Sequence, residues 1–356
     1  MFNRDFAVEL LAWYQQHKRR LPWRETRDPY HVWLAETMLQ QTQVETVIPY
    51  YHRWLKKFPI LQSVAEAPID DLLKYWEGLG YYRRCHHFHQ AAQYIFKNHE
   101  GTVPQQWASF RPLPGVGDYT ASAVLSIAFN LPLPAIDGNI RRVVARLLRK
   151  RNLTPYNQRI IKRQIARVGW IKKRPGDFNQ ALMDLGTLVC RPDQAHCQDC
   201  PLTKYCQAYK TVNPKAYPRT IRRKPLPHYQ VVAGIIWQGE RFLIQRRPDK
   251  GLLGGLWEFP GGKLQAGETH QAALLREIRE ECQTEIEVLR AIGSARHAYT
   301  HLKITFTLFH CRLRDSVEIP QAQSRRWITP ADVSRYAFPQ VNHKLFPLLD
   351  QQGWHV

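Results

Sequence analysis

Four cysteines lie within seventeen residues, Cys190, Cys197, Cys200 and Cys206, spaced C-x6-C-x2-C-x5-C. Thiols gathered this closely constrain a chain strongly, because such clusters usually hold a metal. A structural zinc site brings two short-spaced ligand pairs. Here only Cys197 and Cys200 form such a pair. The outer two reach in on longer arms, which suits a bulkier cubane with a thiolate at each of four corners. On spacing alone, a zinc knuckle and a coincidental gathering of thiols stay open beside the cluster.

The other cysteines, Cys85, Cys282 and Cys311, are scattered, as expected in a reducing cytoplasm and not in a disulfide framework. Met1 to Leu10 carries Arg4, Asp5 and Glu9 without an apolar run, so a secretory signal is not expected. No stretch of about eighteen apolar residues exists that would cross a bilayer. A chain of 356 residues, 44% apolar with eleven Trp, is long enough for two cores.

The formal charge of +21 is unevenly placed. Residues 1–225 hold 35 Lys and Arg against 17 Asp and Glu, whereas residues 226–356 hold 16 against 13. A field concentrated in one part of a chain attracts polyanions, nucleic acid foremost. Membrane-surface binding fits less well, because the bases are dispersed among aromatics and not stacked on one short amphipathic helix.

The N-terminal part reads as helical throughout. Tyr30 to Phe58 places Val32, Leu34, Met38, Val44, Val47, Ile48, Tyr51 and Leu55 at helical spacing, with Gln40, Gln41 and Gln43 between them. Asp137 precedes Gly138, Asn139 and a run with Ile140, Val143, Val144, Leu147 and Leu148, which is an N-cap acid before an amphipathic helix. Helical patterns continue over Gln158–Trp170 and Phe178–Leu188. Asn213 to His228 breaks the pattern with four prolines and five Lys/Arg, a semi-rigid basic linker. Beyond it, Gln230–Trp237, Arg241–Arg246 and Leu302–Leu313 read as strands, with a helix over Thr269–Cys282. The expected organisation is multidomain: an all-α domain over 1–212, a linker over 213–228 and an α/β domain over 229–356.

Leu113-Pro-Gly-Val-Gly117 permits a tight turn whose N–H groups point outward beside a helix start, a grip for phosphate that reads no sequence. A plain helix–helix turn is the bland alternative. This hairpin, the Asp twenty residues downstream and the cysteine loop together resemble the endonuclease-III-like, helix-hairpin-helix superfamily of base-excision glycosylases. Glu36 in Ala35-Glu-Thr-Met-Leu-Gln-Gln-Thr-Gln-Val44 and the string Gly78-Leu-Gly-Tyr-Tyr-Arg-Arg84 look like its adenine DNA glycosylase branch. The resemblance implies excision of adenine mispaired with 8-oxoguanine or guanine in double-stranded DNA. It also implies a four-iron, four-sulfur (4Fe-4S) cluster on Cys190, Cys197, Cys200 and Cys206. The substrate has no symmetry that calls for a dimer, so a monomer is expected, in the cytoplasm on DNA.

Chemistry sets what such a site needs. Adenine leaves poorly until a ring nitrogen is protonated, and the sugar then becomes oxocarbenium-like. Glu36, in an apolar helical stretch, suits the acid, since burial keeps a carboxyl protonated. Asp137 suits the carboxylate beside C1′, and capping a helix is compatible with that role. Bifunctional relatives place a Schiff-base lysine where this chain has Tyr119, which implies weak or no strand cleavage. The resemblance assigns Tyr119 and Asn139 to the sugar side, Trp23 and Arg24 to the adenine pocket, and Gln41 and Tyr81 to the intercalating residues. Gly115 and Gly117 belong to the DNA-gripping hairpin.

Trp257-Glu-Phe-Pro-Gly-Gly-Lys263, Glu268 and Arg276-Glu-Ile-Arg-Glu-Glu281 resemble a Nudix box, except that Gln283 and Thr284 replace its final glycine and apolar position. Glu277, Glu280 and Glu281 fall on one helix face, which suits a divalent cation such as Mg²⁺. Two readings stand: a folding relic that serves lesion recognition, or a surviving nucleotide hydrolase tethered to DNA by the helical half. In the family, a Phe-Ser-His element reads 8-oxoguanine. Tyr299, Thr300 and His301 resemble it with like-for-like changes.

Overall fold

Five polar side chains announce helix starts by accepting a backbone N–H: Asn3 from Phe6, Asp28 from Tyr30 and His31, Asp137 from Ile140, Thr154 from Asn157, and Thr269 from Ala272. The structure, a computed structural model, describes residues 2–168, 173–211, 213–219, 225–314 and 324–354. Its helices ahead of the sheet are α1 (Arg4–His17), α2 (Pro29–Met38), α3 (Val44–Lys57), α4 (Leu61–Glu66), α5 (Ile69–Trp76), α6 (Arg83–Asn98), α7 (Trp107–Phe110), α8 (Asp118–Ala128), α9 (Gly138–Leu147), α10 (Pro155–Ala166) and α11 (Pro175–Asp184). The chain divides into two units. One joins Met1–Glu66 to His87–Arg222; the other joins Ala67–His86 to Arg223–Val356.

The first unit is helical. Phe6, Leu10 and Tyr14 of α1 share a core with Ile140, Val143 and Val144 of α9 and with Phe178, Ala181 and Leu182 of α11. The helical spacing expected from Tyr30 to Phe58 belongs to two helices, α2 and α3, parted by a turn over residues 39–43. Gln41 in that turn has φ +59°, a left-handed conformation that no helix can continue. The run expected over Gln158–Trp170 is α10, which ends at Ala166; residues 169 and 170 lie outside the described residues. The pattern over Phe178–Leu188 is α11 followed by a wider, π-type turn at Leu185–Val189. Of the expected linker, residues 220–224 lie outside the described residues, and Arg219 N donates to Arg151 O.

The second unit carries a mixed sheet of β1 (His228–Gln238), β2 (Arg241–Arg246), β3 (Trp257–Glu258), β4 (Gly261–Lys263), β5 (Ile286–Ala298), β6 (Lys303–Leu313) and β7 (Arg325–Ile328). Strand order is β3-β2-β1-β6-β5, with β4 also paired to β1 and β7 to β2. β1 runs parallel to β6, and β5 antiparallel to β6. Successive side chains of a strand point to opposite faces, and β1 shows it. Val232 and Ile236 pack with Leu274 and Ile278 of α12 (His270–Cys282). Ala233, Ile235 and Trp237 pack on the other face with Val341 of α13 (Gln340–His343) and Leu349 of α14 (Phe346–Gln352). The result is helix, sheet and helix in three layers.

Candidate active site

The sequence around Glu36 builds an apolar wall. Asp28 caps α2, Pro29 occupies its first turn, and every residue from Val32 to Met38 is buried. The Trp33 ring packs 4.4 Å from that of Phe88 and 5.4 Å from that of Phe110. Glu36 is 6% exposed in this setting. A second element brings its partner. Gly115 has φ +74°, and a Cβ there would lie 2.8 Å from His87 Cβ, so only glycine closes the turn into α8. Two residues past the Gly117 cap, the Tyr119 hydroxyl donates to Glu36 Oε2 at 2.6 Å.

Asp137, the α9 cap, accepts from Ile140 N at 2.6 Å through Oδ1 and from Asn139 Nδ2 at 3.0 Å through Oδ2. Arg142 Nη2 donates to Asn139 Oδ1 at 2.8 Å. Glu36, Tyr119, Asp137 and Asn139 line one cavity of about 800 Å³ together with Trp23, Arg24 and Gln41. Seven of the expected residues therefore meet in one place. Gly115 and Gly117 lie at the hairpin and are not among its lining residues.

Electrostatics inside the cavity follow from burial. Burial pushes the Glu36 carboxyl up to about 7, and the Asp137 carboxylate adds to this, while the Tyr119 hydrogen bond and the Arg24 charge work against it. Burial also raises Asp137, against the hydrogen bonds from Ile140 and Asn139 that favour its ionised form. The Tyr119 phenol lies well above its ordinary value, through burial first and then the Glu36 and Asp137 charges. Such a pocket can hold one carboxyl protonated and present another as an anion. This division of labour is what acid-assisted bond cleavage needs.

Asp184, at the end of α11, was not anticipated from the sequence. Fully buried, it accepts from Arg24 Nη1 at 2.6 Å, Arg24 Nη2 at 3.0 Å and Arg19 Nε at 2.7 Å, and so orients the guanidinium that lines the cavity. Its one sequence signal is being the sole acid in Phe178–Cys190.

The four clustered cysteines line one small recess with Arg146, Val189, His196 and Thr203. Burial raises the Cys197, Cys200 and Cys206 thiols, and each also feels neighbouring thiolates. Among the described residues, no group of three or more His, Cys, Asp or Glu is arranged to hold a metal ion. Four sulfurs around one recess suit a group that takes a thiolate at each of four corners, as the endonuclease-III-like fold usually carries. Arg146 of α9 fastens the loop: Nη1 donates to Cys190 Sγ at 3.2 Å and Arg191 O at 2.7 Å, and Nη2 to Pro192 O at 3.1 Å.

In the second unit, Arg276 occupies the acids of the box-like motif. It donates to Glu268 Oε1 at 2.7 Å, Glu277 Oε1 at 2.8 Å and Glu280 Oε2 at 3.2 Å, while Glu281 accepts from Gln245 Nε2 at 2.7 Å. Gly262 admits the Glu277 carboxylate so closely that a Cβ would lie 2.2 Å from Oε2. Glu277 and Glu281 line a cavity of about 550 Å³ with Glu258, Tyr299 and Asn342. The Tyr299 hydroxyl and the Asn342 amide nitrogen are buried and have no hydrogen-bond partner among the described residues. Thr300 is exposed, and its Oγ1 accepts from the Tyr81 hydroxyl at 2.6 Å, with His301 exposed beside it. Tyr299 and Thr300 are thus split between a cavity and the surface.

Two family models match the chain: HhH-GPD superfamily base excision DNA repair protein over residues 34–163, and NUDIX domain over 231–348. The chain resembles a thermostable thymine-DNA glycosylase, with a TM-score of 0.53 and 27% identity over 58% of this chain and 95% of that one. Helical base-excision glycosylase with a Nudix domain is thus the class that fold and site define. Adenine DNA glycosylases of Mus musculus and Homo sapiens are 33% and 32% identical, over 97% and 98% of this chain and 78% and 74% of theirs. That of Buchnera aphidicola subsp. Baizongia pistaciae is 32% identical over 84% of each. The chain belongs to the adenine DNA glycosylase family and is a DNA N-glycosylase of base excision repair. No helix among the described residues is long and apolar enough to cross a membrane.

Proposed function

We propose that this enzyme flips out and hydrolyses adenine mispaired with 8-oxoguanine or guanine in duplex DNA. The observation that carries the reading is the buried Glu36–Tyr119 hydrogen bond in the cavity that also holds Asp137. Glu36 donates its proton to a ring nitrogen of the flipped base. The C1′–N9 bond breaks and its electron pair stays with the adenine ring, leaving positive charge on the sugar. Asp137 stabilises that charge as a carboxylate. Water then bonds to C1′ and its proton returns to the Glu36 carboxylate. Trp23 and Arg24 bound the base side, and Asn139 holds Asp137. Tyr119 stands where bifunctional relatives place a Schiff-base lysine, which supports a monofunctional enzyme with weak or no lyase activity.

Gln41 and Tyr81 are the intercalating residues in this reading, and the turn with Gly115 and Gly117 grips the backbone. The domains are 1–212 for excision and 229–356 for lesion reading, joined by 213–228. Cys190, Cys197, Cys200 and Cys206 hold a 4Fe-4S cluster that braces a basic loop; iron and sulfide contents near four per chain, lost in Cys200→Ser, check it. The protein acts as a monomer. Asp137→Asn tests the mechanism. Asparagine still caps α9, so duplex binding survives while adenine release falls at least about a hundredfold; intact turnover would remove Asp137 from the mechanism.

A second reading is favoured by the 550 Å³ cavity with its two unpartnered polar groups. There the C-terminal unit also hydrolyses nucleoside triphosphates with Mg²⁺ held by Glu277, Glu280 and Glu281. Pyrophosphate release from 8-oxo-dGTP that disappears in Glu280→Gln would establish it, and none above that control would exclude it.

A further inference from the structure

Residues 67–86 sit within the N-terminal half of the sequence yet group with the C-terminal unit. Their contacts explain why. Glu77, the last residue capping α5, is nearly buried, with 12% of its side chain exposed. Its Oε1 accepts from Phe338 N at 2.6 Å and pairs with His343 Nε2 at 2.8 Å, residues 261 and 266 positions away. Its Oε2 accepts from Lys74 Nζ at 2.7 Å, and the same Nζ donates to Tyr336 O at 2.9 Å. Two more contacts flank this latch. Asp70 lies 3.5 Å from Arg246, and His86 Nε2 lies 3.2 Å from Gly254 O. A Cβ on Gly255 would stand 2.6 Å from His86 Nε2, so the segment is seated without a gap.

Four residues past Glu77 comes Tyr81, held at φ +49°, a left-handed conformation that persists in a bulky residue only where its surroundings impose it. Arg84 imposes it by donating through Nη2 to Gly80 O at 2.8 Å and Leu79 O at 3.3 Å, while Trp76 Nε1 donates to Gly80 O at 3.1 Å. Between latch and Arg84 the loop has no free register. The Tyr81 hydroxyl consequently meets Thr300.

We propose that Glu77 is a positioning residue for lesion recognition: by latching segment 67–86 to the C-terminal fold it sets the Tyr81 hydroxyl on Thr300. Glu77 touches no substrate. It acts through Tyr81 and Thr300, and the inference rests on the lesion-reading role that the family resemblance gives Thr300 and on the proposed reading of the C-terminal domain. A hydroxyl that accepts one hydrogen bond donates a stronger one, so Thr300 loaded by Tyr81 is the better donor to the extra carbonyl oxygen of 8-oxoguanine. Guanine lacks that oxygen and gains little.

The test is the ratio of kcat/KM on duplexes with adenine opposite 8-oxoguanine and opposite guanine, measured with the full-length protein. Tyr81→Phe keeps the ring and removes the hydroxyl; it should lower the ratio about threefold to tenfold. Glu77→Ala should lower it similarly, and the double variant should fall no further. A merely structural role for Glu77 would depress both duplexes alike and leave the ratio unchanged, which overturns the proposal. So would effects of Glu77→Ala and Tyr81→Phe that multiply. If Glu77→Ala does not fold, His343→Leu removes one bond of the latch and should shift the ratio in the same direction; an unchanged ratio there counts equally against it. Wild-type protein with no preference between the duplexes defeats the lesion-reading role itself, a result distinguishable from failure of Glu77 alone.

Discussion

Glu36 and Asp137 need opposite charge states in one cavity, and the rate of excision should record both. In the proposed mechanism Glu36 works protonated. With its carboxyl held at about 7, excision should fall as pH rises through that value. Asp137 works ionised in that mechanism, and since burial raises it, the acid limb should lie above the ordinary aspartate range. The Tyr119 hydrogen bond favours the Glu36 carboxylate. Tyr119→Phe should therefore move the alkaline limb to higher pH while lowering the maximal rate about tenfold through lost orientation of the carboxyl. A single-turnover pH profile of that variant checks the sign. Asp184 offers a contrasting case in which stability, and not chemistry, is primary. Asp184→Asn leaves the largely buried Arg24 without its charge partner, and should cost about 3–5 kcal/mol in denaturant unfolding. Charge patterns in sequence do not reveal this residue, because its partners are 160 and 165 positions away.

At the scale of elements, α9 shows what a sequence discloses. Its cap and its buried face are local, so Asp137 and the run Ile140, Val143, Val144 and Leu147 could be read directly. α2 and α3 show the reverse. Apolar residues keep helical spacing across the turn at residues 39–43, and only the left-handed backbone of Gln41 separates the two helices. β5, thirteen residues long, raised no strand expectation. Its inward positions are sparsely apolar, and two register shifts, between Val288 and Arg290 and between Ala291 and Gly293, disrupt the alternation that marks a strand. The cysteine loop was legible by spacing, but its fastening by Arg146 was not, since apart from the bond to Cys190 Sγ that side chain donates to backbone carbonyls, which have no sequence signature.

Across the whole molecule, the excess of positive charge falls in residues 1–225, which also supply every described residue lining the Glu36 cavity. The membership of residues 67–86 was the part least open to sequence reading. It depends on bonds such as Glu77 to His343, which join the end of α5 to the C-terminal part of the chain and leave no periodic trace. The central claim is that a buried, protonated Glu36 acts beside an ionised Asp137. Its most direct test is single-turnover release of adenine from a duplex with 8-oxoguanine opposite, followed across pH for wild type and Glu36→Gln. The account predicts a wild-type rate that declines through about pH 7 and a variant rate near zero at every pH. A Glu36→Gln enzyme that releases adenine at the wild-type rate, with the same alkaline limb, would contradict it.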